Sequence, residues 1–127
     1  MLLLTRKFLT IRFYFLIVLL LSSRSYTQSV TFNHLTAEDG LSNNDVNTII
    51  QDRTGFIWFG TEDGLNRFDG YNFKVFRHNP SDSNSISNNS VWALLEDRQG
   101  NIWIGTKDGK VNIFNPIFEK FSQITPQ

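Results

Sequence analysis

Val46–Gly64 reads VNTIIQDRTGFIWFGTEDG, and Val91–Gly109 reads VWALLEDRQGNIWIGTKDG. The two stretches lie 45 residues apart and are identical at ten of nineteen positions. Val46, Asp52, Arg53, Gly55, Ile57, Trp58, Gly60, Thr61, Asp63 and Gly64 recur as Val91, Asp97, Arg98, Gly100, Ile102, Trp103, Gly105, Thr106, Asp108 and Gly109. Agreement of this density at one offset marks an internal repeat. After one extra residue, Lys110, the match resumes, with Leu65-Asn66-Arg67-Phe68-Asp69 facing Val111-Asn112-Ile113-Phe114-Asn115. An earlier echo, Glu38-Asp39-Gly40-Leu41-Ser42, resembles Glu62-Asp63-Gly64-Leu65-Asn66 and reads as the tail of a unit without its front.

Each unit reads as four short strands. Val46 to Gln51 is β-branched and apolar, and Asp52-Arg53-Thr54-Gly55 is a turn in which glycine supplies positive φ. Phe56 to Thr61 is dense in Phe, Ile and Trp, which suit a pleated buried surface. Asp63-Gly64 marks a hairpin. Leu65 to Phe68 is the third strand, Asp69-Gly70 the next turn, and Tyr71 to Phe76 the fourth. The second unit gives Val91 to Glu96, Asn101 to Thr106, Val111 to Phe114 and Phe118 to Ile124. Turn punctuation this frequent leaves no room for three helical turns.

Four-stranded units of 40–50 residues are the signature of β-propeller blades. A blade has two apolar faces and cannot bury itself, so it must stack between neighbours. Trp58 and Trp103, equivalent on the second strand, are expected as inter-blade packing anchors. The repeat signature is Asp52, Gly55, Trp58, Gly60 and Thr61, then Asp97, Gly100, Trp103, Gly105 and Thr106. Trp92 does not repeat, because Asn47 holds its place. That makes it the better surface-contact candidate of the three, although burial is the expected reading. The fold class is an all-β partial propeller of about two blades plus a partial one, after an N-terminal signal-peptide helix.

Residues 1–27 carry Arg6, Lys7, Arg12 and Arg24 and no acid; the rest carries a net −4. The nine-residue run Phe13 to Leu21 is uncharged, and small polar residues follow. A cationic start, a short apolar centre and small residues make a secretory signal. A spanning helix needs about 20 apolar residues; an uncleaved anchor is the other reading. Cleavage is expected after Ser25 or Thr27, starting the mature chain near Tyr26 or Gln28. The organisation expected is 1–27 signal peptide, 28–45 lead-in strand or partial blade, 46–78 first blade, 79–90 polar linker loop without a core pattern, and 91–127 second blade.

The series Phe32-x-x-Leu35-Thr36-x-Glu38-Asp39-Gly40-Leu41-Ser42, Gln51-Asp52-x-x-Gly55-Phe56-Ile57-Trp58-Phe59-Gly60-Thr61 and Asp63-Gly64-Leu65-Asn66-Arg67-Phe68-Asp69-Gly70-Tyr71-x-Phe73 resembles the first blades of two-component regulator propeller proteins. These are periplasmic sensor regions of Bacteroidetes-type hybrid histidine kinases. The resemblance covers about residues 30 to 124 and departs at Lys110 and at Asn115, which stands where the first unit has Asp69. It implies a signal peptide, two propellers, a three-tyrosine sandwich domain and a membrane helix, followed by kinase, receiver and DNA-binding parts. It also implies sensing of glycans or other nutrients outside the cytoplasm. The implied partners are the missing propeller blades and downstream sensor-kinase domains, with a glycan as a possible ligand. Membrane association would come only through the exported full-length protein.

Forty per cent of residues are apolar and 14% aromatic, which is too much for a disordered tail. The absence of Cys excludes a disulfide scaffold, a thiolate metal site and a cysteine nucleophile. No basic face suggests nucleic acid. No Ser–His–Asp spacing, P-loop or paired-carboxylate motif appears, so no catalytic residue, cofactor or enzyme activity is expected. His34 and His78 are isolated and read as surface or turn histidines. Asp63, Asp69 and Asp108 lack the tight spacing of a calcium loop and read as turn residues. Asp52 and Asp97 read as turn caps. Asn88-Asn89-Ser90 fits a glycosylation sequon. The loops Ser81 to Asn89 and Glu62 to Leu65 are candidate ligand contacts, with no single residue nominated.

Three functions remain open at this point: a sensor module or its fragment in a phosphorelay, a free secreted propeller binding carbohydrate or protein, and a propeller-scaffold hydrolase. Two blades and a fraction leave bare faces, and short repeat arrays are marginal. The chain is therefore expected to be a truncated gene product, or a fragment of an open reading frame split by sequencing or mutation. Purified residues 28–127 should melt broadly or aggregate; a sharp, cooperative monomer transition is the contrary result.

Overall fold

A computed structural model describes residues 1–21 and 28–124. The chain divides into two units, Met1–Asn33 and His34–Gln127. In the first, helix α1 (Leu2–Leu21) takes Arg6, Lys7 and Arg12 into the same helix as the apolar run. No helix among the described residues is long and apolar enough to cross a membrane. The expected cleavage sites at Ser25 and Thr27 lie outside the described residues.

The second unit holds two antiparallel four-stranded sheets, each a simple meander. Blade 1 comprises β1 (Val46–Gln51), β2 (Ile57–Thr61), β3 (Gly64–Phe68) and β4 (Phe73–Phe76). Blade 2 comprises β5 (Val91–Glu96), β6 (Ile102–Thr106), β7 (Val111–Asn115) and β8 (Lys120–Ile124). The last strands start two residues later than the sequence suggests. Before β4, the Asp69 carboxylate accepts from the N–H groups of Tyr71 and Asn72 and holds them in a turn. Before β8, Asn115 accepts in the same way from Ile117 and Phe118. The β1–β2 and β5–β6 turns close on Gly55 (φ +98°) and Gly100 (φ +86°), a conformation other residues adopt only with strain.

Two expectations are corrected. Residues 28–45 form no strand among those described; they hold only the 3₁₀ turn Ala37–Asp39 before Leu41 is buried. The linker 79–90 is not free of core residues, since Ile86 is fully buried and Ser85, Ser87 and Ser90 are buried beside it. The reason is the same in both places. Leu41-Ser42-Asn43-Asn44 and Ile86-Ser87-Asn88-Asn89 are equivalent, and each plugs the start of its own blade. The echo at Glu38–Ser42 is therefore the head of blade 1, not the tail of an earlier unit.

The core lies between the blades. Trp58, Leu65, Ile86, Val91, Ile102, Ile104, Phe114 and Phe121 form one cluster, with Phe76 packed against it. Trp58 has no exposed surface; it meets Phe114 edge-on at 5.4 Å and stacks with Phe76 at 6.1 Å. Phe76 in turn meets Phe121 at 5.7 Å. The sheets come together through β1, β2 and β5, so β1 and β5 lie on the inner side of the pair.

Gly60 sets the closest approach. A Cβ there would lie 2.5 Å from Val91 Cγ1 and 2.6 Å from Thr48 Cγ2. Val and Thr are stiff at χ1 and cannot swing aside freely. Gly60→Ala is expected to destabilise the full chain by about 1–3 kcal/mol, the usual range for overpacking. Urea-denaturation midpoints check this, and Val91→Ala in the Gly60→Ala background should recover part of the loss.

Candidate functional site

The signature aspartates do more than cap turns. Asp52 accepts from Thr54 N (2.9 Å), Thr54 Oγ1 (2.6 Å) and Phe56 N (3.1 Å), while its second oxygen accepts the indole N–H of Trp58 at 2.7 Å. Asp97 accepts from Gln99 N, Asn101 N, Asn101 Nδ2 and, at 2.9 Å, the indole N–H of Trp103. Each turn thus aims its own tryptophan. Burial of Asp52 opposes its charge, but the donors from Thr54, Trp58 and Phe56 outweigh it and the carboxyl lies below its ordinary value. The Trp103 indole, followed by the Asn101 amide, lowers Asp97 to about 2.

A second constellation, unseen in the sequence, repeats atom for atom. Asn66 Oδ1 accepts from Ser42 N (2.8 Å), Asn66 Nδ2 donates to Ser42 Oγ (2.7 Å), and Ser42 Oγ meets Thr61 Oγ1 at 2.8 Å. In blade 2, Asn112, Ser87 and Thr106 make the same three bonds at 3.0, 2.9 and 3.1 Å. Asn66, Thr61 and Asn112 are fully buried, and the network leaves their polar groups paired. It fixes each lead-in to the far end of its own β2–β3 or β6–β7 hairpin. The clue was the recurrence of Ser-Asn-Asn ahead of Val46 and Val91, obscured by the polar composition around it.

Polar bonds also cross between the blades. The Arg53 guanidinium pairs with Glu96 at 2.6 Å and donates to the carbonyls of Asp97 and Arg98. Glu119 receives Lys74 at 2.6 Å and Arg67 at 3.3 Å, and the Arg67 guanidinium stacks 4.8 Å from the Phe56 ring. A cleft of about 330 Å³ between the blades is lined by Phe56, Trp58, Arg67, Glu96, Asn101 and Ile117, among others. At the opposite ends of the strands lies an open hollow of about 480 Å³, lined by Asn44, Asp45, Val46, Asn47 and Glu62.

The remaining sequence candidates fall apart from one another. Asp63 pairs with Arg77 at 3.0 Å, Asp69 caps its turn, and Asp108 accepts from Thr106 at 2.6 Å. Within the sequon, Asn88 Oδ1 accepts the Ser90 N–H. His78 faces the Ile86 carbonyl at 2.7 Å, and His34 is exposed. Trp103 is half-buried. Trp92, expected to be buried, is 55% exposed. The physical cause is a β-bulge: the ladder shifts between Val91 and Ala93, which lifts Trp92 out of the pleat.

Two stacked four-stranded meanders with one repeated signature define a segment of a β-propeller. The sequence profile of the two component regulator propeller family matches residues 40–63 and 85–108, the two lead-ins with their first hairpins. The chain is 46% identical over 67 residues to histidine kinase P4 of Formosa agariphila, covering 53% of this chain and 5% of that protein. It is also similar to the crystal structure of the extracellular domain of a hybrid two component system from B. thetaiotaomicron. There the TM-score is 0.68 at 38% identity, over 75% of this chain and 13% of that one. The chain thus spans a small fraction of the length of the proteins it matches.

A carboxyl lowered in the folded state stabilises above its ordinary value, and that contribution fades as pH falls through the folded value. For Asp97 the window runs from 3.8 down to about 2. Asp97→Asn should therefore be less stable than wild type at neutral pH and lose less stability than wild type between pH 4 and 2, read from urea midpoints against pH.

Proposed function

We propose that this chain forms blades of an extracytoplasmic sensor propeller in a hybrid histidine kinase, whose ligand is a glycan or another nutrient and whose output is a phosphorelay. The observation that carries the reading is the head-to-tail stacking of two signature blades, in a family whose relatives are a histidine kinase and the extracellular domain of a two component system. A propeller presents its loops at the two ends of the ring, where ligands enter. It supplies binding and leaves phosphoryl transfer to other domains.

Export fits the same reading. Helix α1 carries three cations and no acid, the composition expected of a secretory signal. The protein would then act in the periplasm.

In-frame deletion of codons 34–124 in the source cells should abolish glycan- or nutrient-induced transcription while growth on glucose continues. Retention of the full response would overturn the sensor reading. In that case, recovery of the chain bound to carbohydrate outside the cell would favour the secreted binding module.

A further inference from the structure

The two blades share their frame but differ at one place on the inner strands. Both β1 and β5 carry a bulge at the same position, between Val46 and Thr48 and between Val91 and Ala93. The residue lifted out is Asn47 in blade 1 and Trp92 in blade 2. Bulges re-aim side chains and gather next to binding sites. Here both bulged side chains connect to one carboxylate, Asn47 directly and Trp92 through Ser90. Asn47 Nδ2 donates to Glu62 Oε1 at 3.0 Å, and Ser90 Oγ donates to Glu62 Oε2 at 2.7 Å. The Trp92 indole N–H donates to that same Ser90 Oγ at 2.9 Å. Asn47 also donates to the Val91 carbonyl at 3.1 Å, tying the two bulges together.

The exposed indole is thus held in one orientation by a chain of bonds running to Glu62 and Asn47. Those two residues line the open hollow beside Asn44 and Asp45. The Lys107 ammonium lies over one face of the Trp92 ring, 5.8 Å from its centroid, and leaves the other face for a ligand. An oriented apolar ring beside carboxylate, amide and ammonium groups suits a pyranose, which has one C–H-rich face and a rim of hydroxyls. Glu62 uses one acceptor position on each oxygen and keeps others free. Asp45 and Glu62 outweigh Lys107 in charge, which disfavours a sulfated or uronic sugar.

The geometry points to a carbohydrate subsite at the paired bulges: a neutral pyranose unit stacks on Trp92 and hydrogen-bonds to Glu62, Asn47 and Lys107. This rests on the sensor reading above and names the residues through which it would act.

The test is calorimetric titration of the full chain with neutral gluco-, galacto-, manno- and xylo-tetraoses and with an acidic heparin-derived tetrasaccharide. At least one neutral probe should bind. Trp92→Ala should weaken that probe about tenfold or more, the scale of a tryptophan hot spot, and Trp92→Phe should stay within a few-fold of wild type. Glu62→Gln, which keeps the side chain's shape, should weaken the same probe several-fold; it carries the test if Trp92→Ala loses the wild-type far-UV spectrum. Neutral binding untouched by Trp92→Ala and Glu62→Gln would overturn the subsite and leave the sensor reading standing. Preference for the acidic probe, or no binding to any probe, would also overturn it. The sensor reading itself stands or falls by the transcriptional response of the deletion strain, which requires no assumption about sugar type.

Discussion

The bond from the Trp58 indole to the Asp52 carboxylate governs the rest of the structure. The turn before β2 holds the carboxylate with three other donors, and the carboxylate holds the indole. That fixes a flat apolar slab at the centre of the contact between blades, where Phe76 and Phe114 close on it. Burying the same indole without an acceptor would leave a polar N–H unpaired, at a cost comparable to the hydrogen bond itself. Truncating an aromatic so fully buried typically costs roughly 3–5 kcal/mol. The ion pairs around it are partly exposed, such as Arg53–Glu96 with 51% of the arginine side chain accessible, and pairs of that kind contribute about 0–1 kcal/mol. The aromatics therefore hold the blades together, and the charges set how they are aligned.

Alignment is finely constrained because Gly60 allows β5 to come within side-chain reach of β2. Val91 packs into that space, and the next residue of β5 is the one the bulge lifts out. Packing inside the wedge and display on its inner side are consequences of a single register. The Ser42–Thr61–Asn66 network and its copy in blade 2 secure the same register at that same end of each sheet, by pinning the incoming chain.

Much of this was legible in the sequence because it was written twice. Ten identities at one spacing gave the unit length, the strand count and the tryptophan positions, and the Asp-Gly pairs gave the hairpins. What escaped was what composition hides. Ile86 is one apolar residue in a run of Ser and Asn, and nothing local says that it seals a core. Ser42, Thr61 and Asn66 are common polar residues whose meeting depends on a chain reversal of 24 residues. Trp92 looked like core by its chemistry. Only the ladder register reveals that it sits on the extra residue of a bulge, and periodicity cannot place a bulge when a strand is six residues long.

The paired bulges separate two tasks that most strands must share. A residue within the pleat is answerable to its neighbours on both sheets, so changing it disturbs the stack. The lifted residue lies outside the pleat and is held by side-chain bonds instead, which is why a slim amide and a bulky indole occupy the same address in consecutive wedges. A full circle of such wedges would offer one freely exchangeable position per wedge around a common axis. Chemical selectivity could then be rewritten one wedge at a time while the masonry stays untouched.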